Sequence, residues 1–97
     1  MRIIAERTLR IFWEQHADAR GALEAWADHT RQVQWNSPSE VQHDYGPDVI
    51  LPNNRAVFNL KGNKYRLVAH IHYKSRILFI RFVGTHAEYN RIDAANI

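Results

Sequence analysis

Two residues, Gly62-Asn63, separate two stretches in which apolar and polar side chains alternate: "NRAVFNL" before them and "KYRLVAHIHY" after. A two-residue Gly-Asn connection between period-two stretches closes a β-hairpin, because its central positions need positive φ. Such a turn sets the register. Lys61 then faces Lys64, Leu60 faces Tyr65, Asn59 faces Arg66 and Phe58 faces Leu67. One face of the hairpin carries Ala56, Phe58, Leu60, Tyr65, Leu67, Ala69 and Ile71, which is a core face. The other carries Arg55, Val57, Asn59, Lys61, Lys64, Arg66, Val68, His70 and His72. A third stretch, "RILFIRFV", follows Lys74-Ser75. With that pair as the next turn, Ile71 faces Leu78 and Val68 faces Arg81. Leu78, Ile80 and Phe82 join the core face, and Arg81 joins the cationic face, diagonal to Arg66.

The first half has a different period. Leu9, Phe12, Trp13 and His16 fall at helical spacing, after a short strand in "MRIIA". Asp18 is placed to N-cap a second helix through about Gln34, with Ala19, Leu23, Trp26 and Val33 on one face. "SPSE" predicts a third start: Ser37 as cap, Pro38 at the first helical position and Glu40 completing a capping box. Gly46-Pro47 stops that helix after about Tyr45. A last helix begins near His86. The order (β)ααα-βββ-α describes an α+β domain, residues 1–97, with helices packed on one side of an antiparallel meander.

Charge is divided unevenly. Residues 1–50 hold five Arg/Lys against eight Asp/Glu (−3), and residues 51–97 hold eight against two (+6), which sums to the net +3. The cationic second half suits an anionic partner, although a solvated face would look the same. There is no cysteine, so disulfides, thiolate nucleophiles and zinc–thiolate sites are excluded. The charged N-terminus resembles neither a signal peptide nor a membrane span, and a cytoplasmic location is expected.

Arg66 and Arg81 on neighbouring strands repel unless an anion lies between them, and the second half offers only Glu88 and Asp93. A phosphodiester would supply that anion in the bidentate geometry arginine favours. The alternative is two arginines stretched into water. "RFVGTHAEYNRID" then brings His86 and Tyr89 to the end of the Arg81 strand. Thr85-x-x-Glu88 reads as a capping box, a purely structural motif. His86 at a helix N-terminus could contact a phosphate or move a proton, and Tyr89 could stack on a base or close the core. His70-x-His72 lacks a third ligand by any visible pattern, so no metal site is expected. His16, His29 and His43 need no special role, and no phosphate-binding glycine loop is present.

"NNRAVFNLKGNKYRLVAHIHY" and "IRFVGTHAEYNRID", together with "RTLRIFWEQH" and "VQWNSPSEV", resemble the HigB family of toxins from type II toxin–antitoxin pairs, within the RelE-like superfamily. The resemblance covers nearly the whole chain and is most specific from Asn53 to Asp93. It implies a compact α+β ribonuclease fold and an mRNA interferase that cuts translated messages on the ribosome. It also implies a cognate HigA-like antitoxin, a monomeric free toxin, and no metal or other cofactor. Carried over, Arg66 and Arg81 would clamp the scissile phosphate, and His86 or Tyr89 would transfer protons. Arg55, Asn59, Lys61, Lys64 and His70 would hold RNA. The substrate's own 2′-OH would be the nucleophile, giving a 2′,3′-cyclic phosphate and a free 5′-OH. Two other readings stand beside this one: a non-catalytic RNA-binding module, and an inactive toxin-fold partner of an antitoxin.

Overall fold

The computed structural model describes residues 1–97. Strand β1 (Arg2–Ile4) leads into helices α1 (Arg7–Gln15), α2 (Arg20–Gln32) and α3 (Pro38–Tyr45). Strands β2 (Ile50–Leu51), β3 (Arg55–Leu60), β4 (Tyr65–His72) and β5 (Ile77–Thr85) follow, then a single turn of helix, α4 (His86–Tyr89). The expected α+β class is correct, but the sheet has five strands rather than three, in the order β1-β5-β4-β3-β2. The short β2 extends one edge antiparallel to β3, and β1 extends the other, parallel to β5. No helix is long and apolar enough to cross a membrane.

The first hairpin has the expected register: Leu60 opposite Tyr65, Asn59 opposite Arg66, Phe58 opposite Leu67. Gly62 (φ 58°) and Asn63 (φ 71°) supply the left-handed positions that its turn requires. Helices α1 to α3 cover the inner face, where Leu9, Leu23, Trp26 and Val41 meet Phe58, Leu67, Ile71 and Leu78. The Trp26 ring stands edge-on to Phe58 with centroids 5.3 Å apart.

Two expected caps are replaced. Asp18 does not cap α2, which starts at Arg20 behind a short 3-10 turn and has no side-chain cap. Ser37 makes no cap bond to α3. Glu40 instead accepts the Asn36 backbone N–H at 2.6 Å, one residue early.

The second hairpin keeps Ile71 opposite Leu78 but not Val68 opposite Arg81. A β-bulge between Val68 and Ala69 shifts the register: Ala69 pairs with Ile80 and Val68 with Phe82, so Arg81 is the extra residue. Past a bulge the in–out alternation reverses. Phe82, expected in the main core, therefore lies on the outer face, and Val83 packs inward in its place.

The outer face is not the open cationic surface that alternation predicts. Val57 and Val68, 8% and 0% exposed, form a second small core with Ala94. Leu51, Phe82, Tyr89, Ile92 and Ile97 pack around them. The C-terminal segment after α4 thus lies across the outer side of β3 and β4.

Candidate functional site

The bulge sets the position of Arg81. Two residues of β5, Arg81 and Phe82, oppose the single Val68 of β4, so the chain gains a side chain on the outer face without a ladder partner. Phe82 packs down into the outer core, while Arg81 is exposed. Its charge reaches His70, whose pKa it helps lower. The diagonal relation to Arg66 survives the register shift, but Arg66 itself pairs with Gly84. The two arginines are therefore two to three residues apart along β4, on the order of 7–10 Å.

Arg66 is held by an aromatic ring. Its guanidinium carbon lies 4.8 Å from the Tyr89 ring centroid, within cation–π range. Its Nε is buried and has no hydrogen-bond partner, and no protein carboxylate pairs with the group. Gly84 makes room beside it. A Cβ at Gly84 would sit 2.6 Å from Phe82 Cζ and 3.0 Å from Glu88 Oε1. The missing side chain lets the Phe82 ring fold back over the strand, where its centroid is 6.4 Å from that of Tyr89. Tyr89 thus packs in the outer core and lays its ring against Arg66.

Helix α4 follows directly. The capping box read in the sequence is present: Glu88 N–H donates to Thr85 Oγ1 at 3.2 Å, and Thr85 N–H donates to Glu88 Oε1 at 2.8 Å. These hydrogen bonds hold the Glu88 carboxyl below its ordinary pKa, helped by the nearby charges of His16 and Arg91. His86 N–H donates to the Lys64 carbonyl at 3.3 Å. Two of the N–H groups at this terminus, those of His86 and Glu88, are thus engaged within the protein. His86 keeps an exposed ring whose Nδ1 receives a hydrogen bond from the Asn90 amide at 3.1 Å.

Lys61 and Lys64, both exposed, pair with a carboxylate just ahead of α2. Lys64 Nζ donates to Asp18 Oδ2, Lys61 Nζ lies 3.5 Å from the same oxygen, and Tyr65 O–H donates to Oδ1 at 2.5 Å. The Lys64 and Tyr65 hydrogen bonds hold the Asp18 carboxyl well below its ordinary range. His16, which the sequence left without a role, stacks on Phe12 at 4.3 Å and meets Tyr65 edge-on at 5.6 Å. Arg55 is also engaged: Nε donates to the Ile97 carbonyl at 2.9 Å and Nη1 to the Asn53 carbonyl at 2.9 Å. It fastens the C-terminal segment, as does Asn53, whose amide donates to the Ala95 carbonyl at 3.0 Å. Asn59 is exposed opposite Arg66.

His70 is half-buried, and its ring centroid lies 4.5 Å from that of the exposed His72. Burial first, then the charges of Arg55, His72 and Arg81, lower the His70 pKa.

Of the expected residues, the structure brings Arg66 and Tyr89 together, sets His86 on the same short helix as Tyr89, and leaves Arg81 and His70 further along the face. It adds Gly84, Phe82 and His72, which the sequence reading passed over as site residues. Gly84 had a legible signal, since a glycine inside a strand marks a bulge or a close approach.

An α+β domain with helices on one face, and an arginine-bearing strand running into a capped turn on the other, has the layout of a RelE-like toxin. The family model HigB_toxin, the RelE-like toxic component of a toxin–antitoxin system, matches residues 19–92. The chain belongs to that family, and membership implies an antitoxin partner. No curated protein matches the chain.

Proposed function

We propose that this protein is a ribosome-dependent endoribonuclease that cuts translated mRNA by metal-independent transesterification. One observation carries the reading. Arg66 is a half-buried guanidinium, oriented by Tyr89, with a buried Nε that has no partner in the protein. The rest of the half-buried group pairs with no protein carboxylate, so an external phosphate is the anion that can meet its charge. Membership in a RelE-like toxin family supports RNA as that anion.

In this reading a message strand lies on the outer face of β5 and β4. Arg66 binds a non-bridging oxygen of the scissile phosphate, and Arg81 approaches from the bulge. The 2′-oxygen attacks the adjacent phosphorus and loses its proton, the bond to the 5′-oxygen breaks, and that oxygen takes up a proton. The products are a 2′,3′-cyclic phosphate and a 5′-OH. His86 and the Tyr89 hydroxyl are the groups within the site able to handle the two protons. Alignment of the 2′-oxygen and charge balance on the phosphorane provide the acceleration. Asn59, exposed opposite Arg66, is placed to contact the neighbouring nucleotide. Lys61 and Lys64 contribute a structural tie and reach RNA only if Asp18 releases them.

The test is induced expression of the chain alone in bacteria, beside Arg66→Ala and Arg81→Ala, with primer extension on an abundant translated message. New in-frame 5′ ends with the wild type, lost in both variants, are the expected result. Unchanged growth with soluble protein and no new ends would replace this reading with a non-catalytic RNA-binding module or an inactive antitoxin partner.

A further inference from the structure

Beyond Arg81 the outer face continues to a second cationic group at the far end of β4. His70 and His72 lie side by side with ring centroids 4.5 Å apart, and Phe79 of β5 stands edge-on to His72 at 5.0 Å. The two histidines border an open depression of about 620 Å³, which Asn54, Lys74 and Ser75 also line. The charged neighbours come from every adjoining element and share one sign. Strand β3 contributes Arg55, β5 contributes Arg81, and the β4–β5 turn contributes Lys74. No carboxylate enters: Glu88 is held in its capping box at the other end of β5, and Asp93 accepts from Asn96 at 2.7 Å. Proteins usually relieve two imidazoles in contact with a carboxylate or a carbonyl acceptor, and this pair has neither.

We infer that His70, His72 and Arg81 form a proton-gated phosphate subsite that grips the RNA strand beyond the scissile position and tightens as pH falls. The inference rests on the proposed function for the identity of the anion. From Arg66 to His72 strand β4 covers about 20 Å, with Arg81 on the neighbouring β5 between them, so the cations follow the β4–β5 seam past the covered Val68 rather than forming a patch. That is the layout for successive phosphates of an extended single strand, with Phe79 available as a stacking ring. The gate follows from the crowding. In the free protein, burial and the neighbouring cations oppose protonation of His70. A phosphate bound against the edges of the two rings reverses that balance, so its binding takes up a proton and is favoured by a lower pH.

The experiment uses purified protein and two probes: inorganic phosphate, and a 2′-O-methyl single-stranded hexanucleotide that cannot undergo transesterification. In wild-type protein, NMR titration should show the His70 and His72 midpoints rising on addition of phosphate, with His43 on α3 unmoved. Hexanucleotide affinity should rise on the order of tenfold from pH 7.5 to 5.5, the effect of about half a proton taken up on average across those two pH units. His70→Gln/His72→Gln should flatten that dependence. Unmoved histidine midpoints, or a pH dependence retained in the double variant, would overturn the inference. Failure of the nuclease reading looks different: no cleavage of translated message, with the pH-dependent grip intact.

Discussion

Gly84 tests the geometry around Arg66 because its replacement should act in one direction for one reason. Its φ lies outside the left-handed region, so alanine meets no backbone penalty there, and only the added methyl matters. That Cβ would be 2.6 Å from Phe82 Cζ and 3.2 Å from Phe82 Cε1, against a comfortable carbon–carbon separation of about 3.5–4.0 Å. The ring must retreat by roughly 1 Å. It cannot do so freely, because it packs in the outer core beside Tyr89. Glu88 Oε1, 3.0 Å from the same Cβ, is the oxygen that caps α4. Overpacking of this kind costs about 1–3 kcal/mol. The lower half of that range is expected, because Phe82 is only half-buried and can tilt.

Gly21 is the internal control. It lies within α2 and a Cβ there meets nothing within 4 Å. Gly21→Ala should therefore stabilise by about 0.5–1 kcal/mol, through helix propensity alone. Thermal or urea unfolding of both variants should give shifts of opposite sign, with roughly 4–8 °C in Tm per kcal/mol for a domain of this size. Gly84→Ala combined with Phe82→Leu should recover part of the loss, since the obstructing ring atoms are gone. A neutral or stabilising Gly84→Ala would refute the placement of Phe82 on the outer face, and with it the bulge that presents Arg81.

Asp18→Asn should destabilise at pH 7 by weakening the tie to Lys64, Lys61 and Tyr65. The folded Asp18 pKa is depressed, so its contribution is present above the unfolded value of about 3.9 and lost as pH falls through the folded value. The stability gap between wild type and variant, followed by urea unfolding across pH, should accordingly close below about pH 4. A gap unchanged at pH 3 would argue against the ion pair. Tyr89→Phe should keep its hold on Arg66 and remain within about 0.5 kcal/mol in stability, whereas Tyr89→Ala removes the ring over the guanidinium and should lose about 3 kcal/mol or more. In the toxicity assay, activity surviving in Tyr89→Phe would assign the proton transfers to His86 alone. Val68→Ala, at a fully buried outer-face position, should cost about 1–3 kcal/mol in thermal unfolding. No loss would mean that the C-terminal segment does not cover it.

Local chemistry made the first hairpin legible: a turn that needs two positive φ values permits one register, and each side chain's face follows from it. The same logic failed one strand later. A single inserted residue reverses the alternation, and nothing at Val68 or Ala69 announces the insertion. Gly84 came nearest to a warning. Asp18 misled for a related reason. An aspartate before a helix is a good N-cap by type, yet Lys61, Lys64 and Tyr65 compete for it across more than 40 positions in sequence. Two lysines that read as RNA contacts are thereby paired with a carboxylate. The residues that stayed available, Arg66 and Arg81, differ in having no carboxylate within reach.

The outer face shows why charge counting alone overstated the cationic surface. Val57 and Val68 sit in the middle of a face otherwise rich in cations, and two β-branched apolar residues at the centre of a sheet require a cover. The cover is the segment that carries Ile92, Ala94 and Ile97, and fastening it uses Arg55. The cationic surface is therefore narrower than the sequence suggests, and it is displaced toward β5. That narrowing favours the proposed chemistry. A broad basic sheet would bind any polyanion, whereas a line of cations beside an apolar wall admits one extended strand. The bulge is what makes the line continuous. Without the extra residue, Arg81 would take the ladder position opposite Val68, and Phe82 would turn inward. The outer core would then lose the ring that packs beside Tyr89, and Tyr89 would lose its support beneath Arg66.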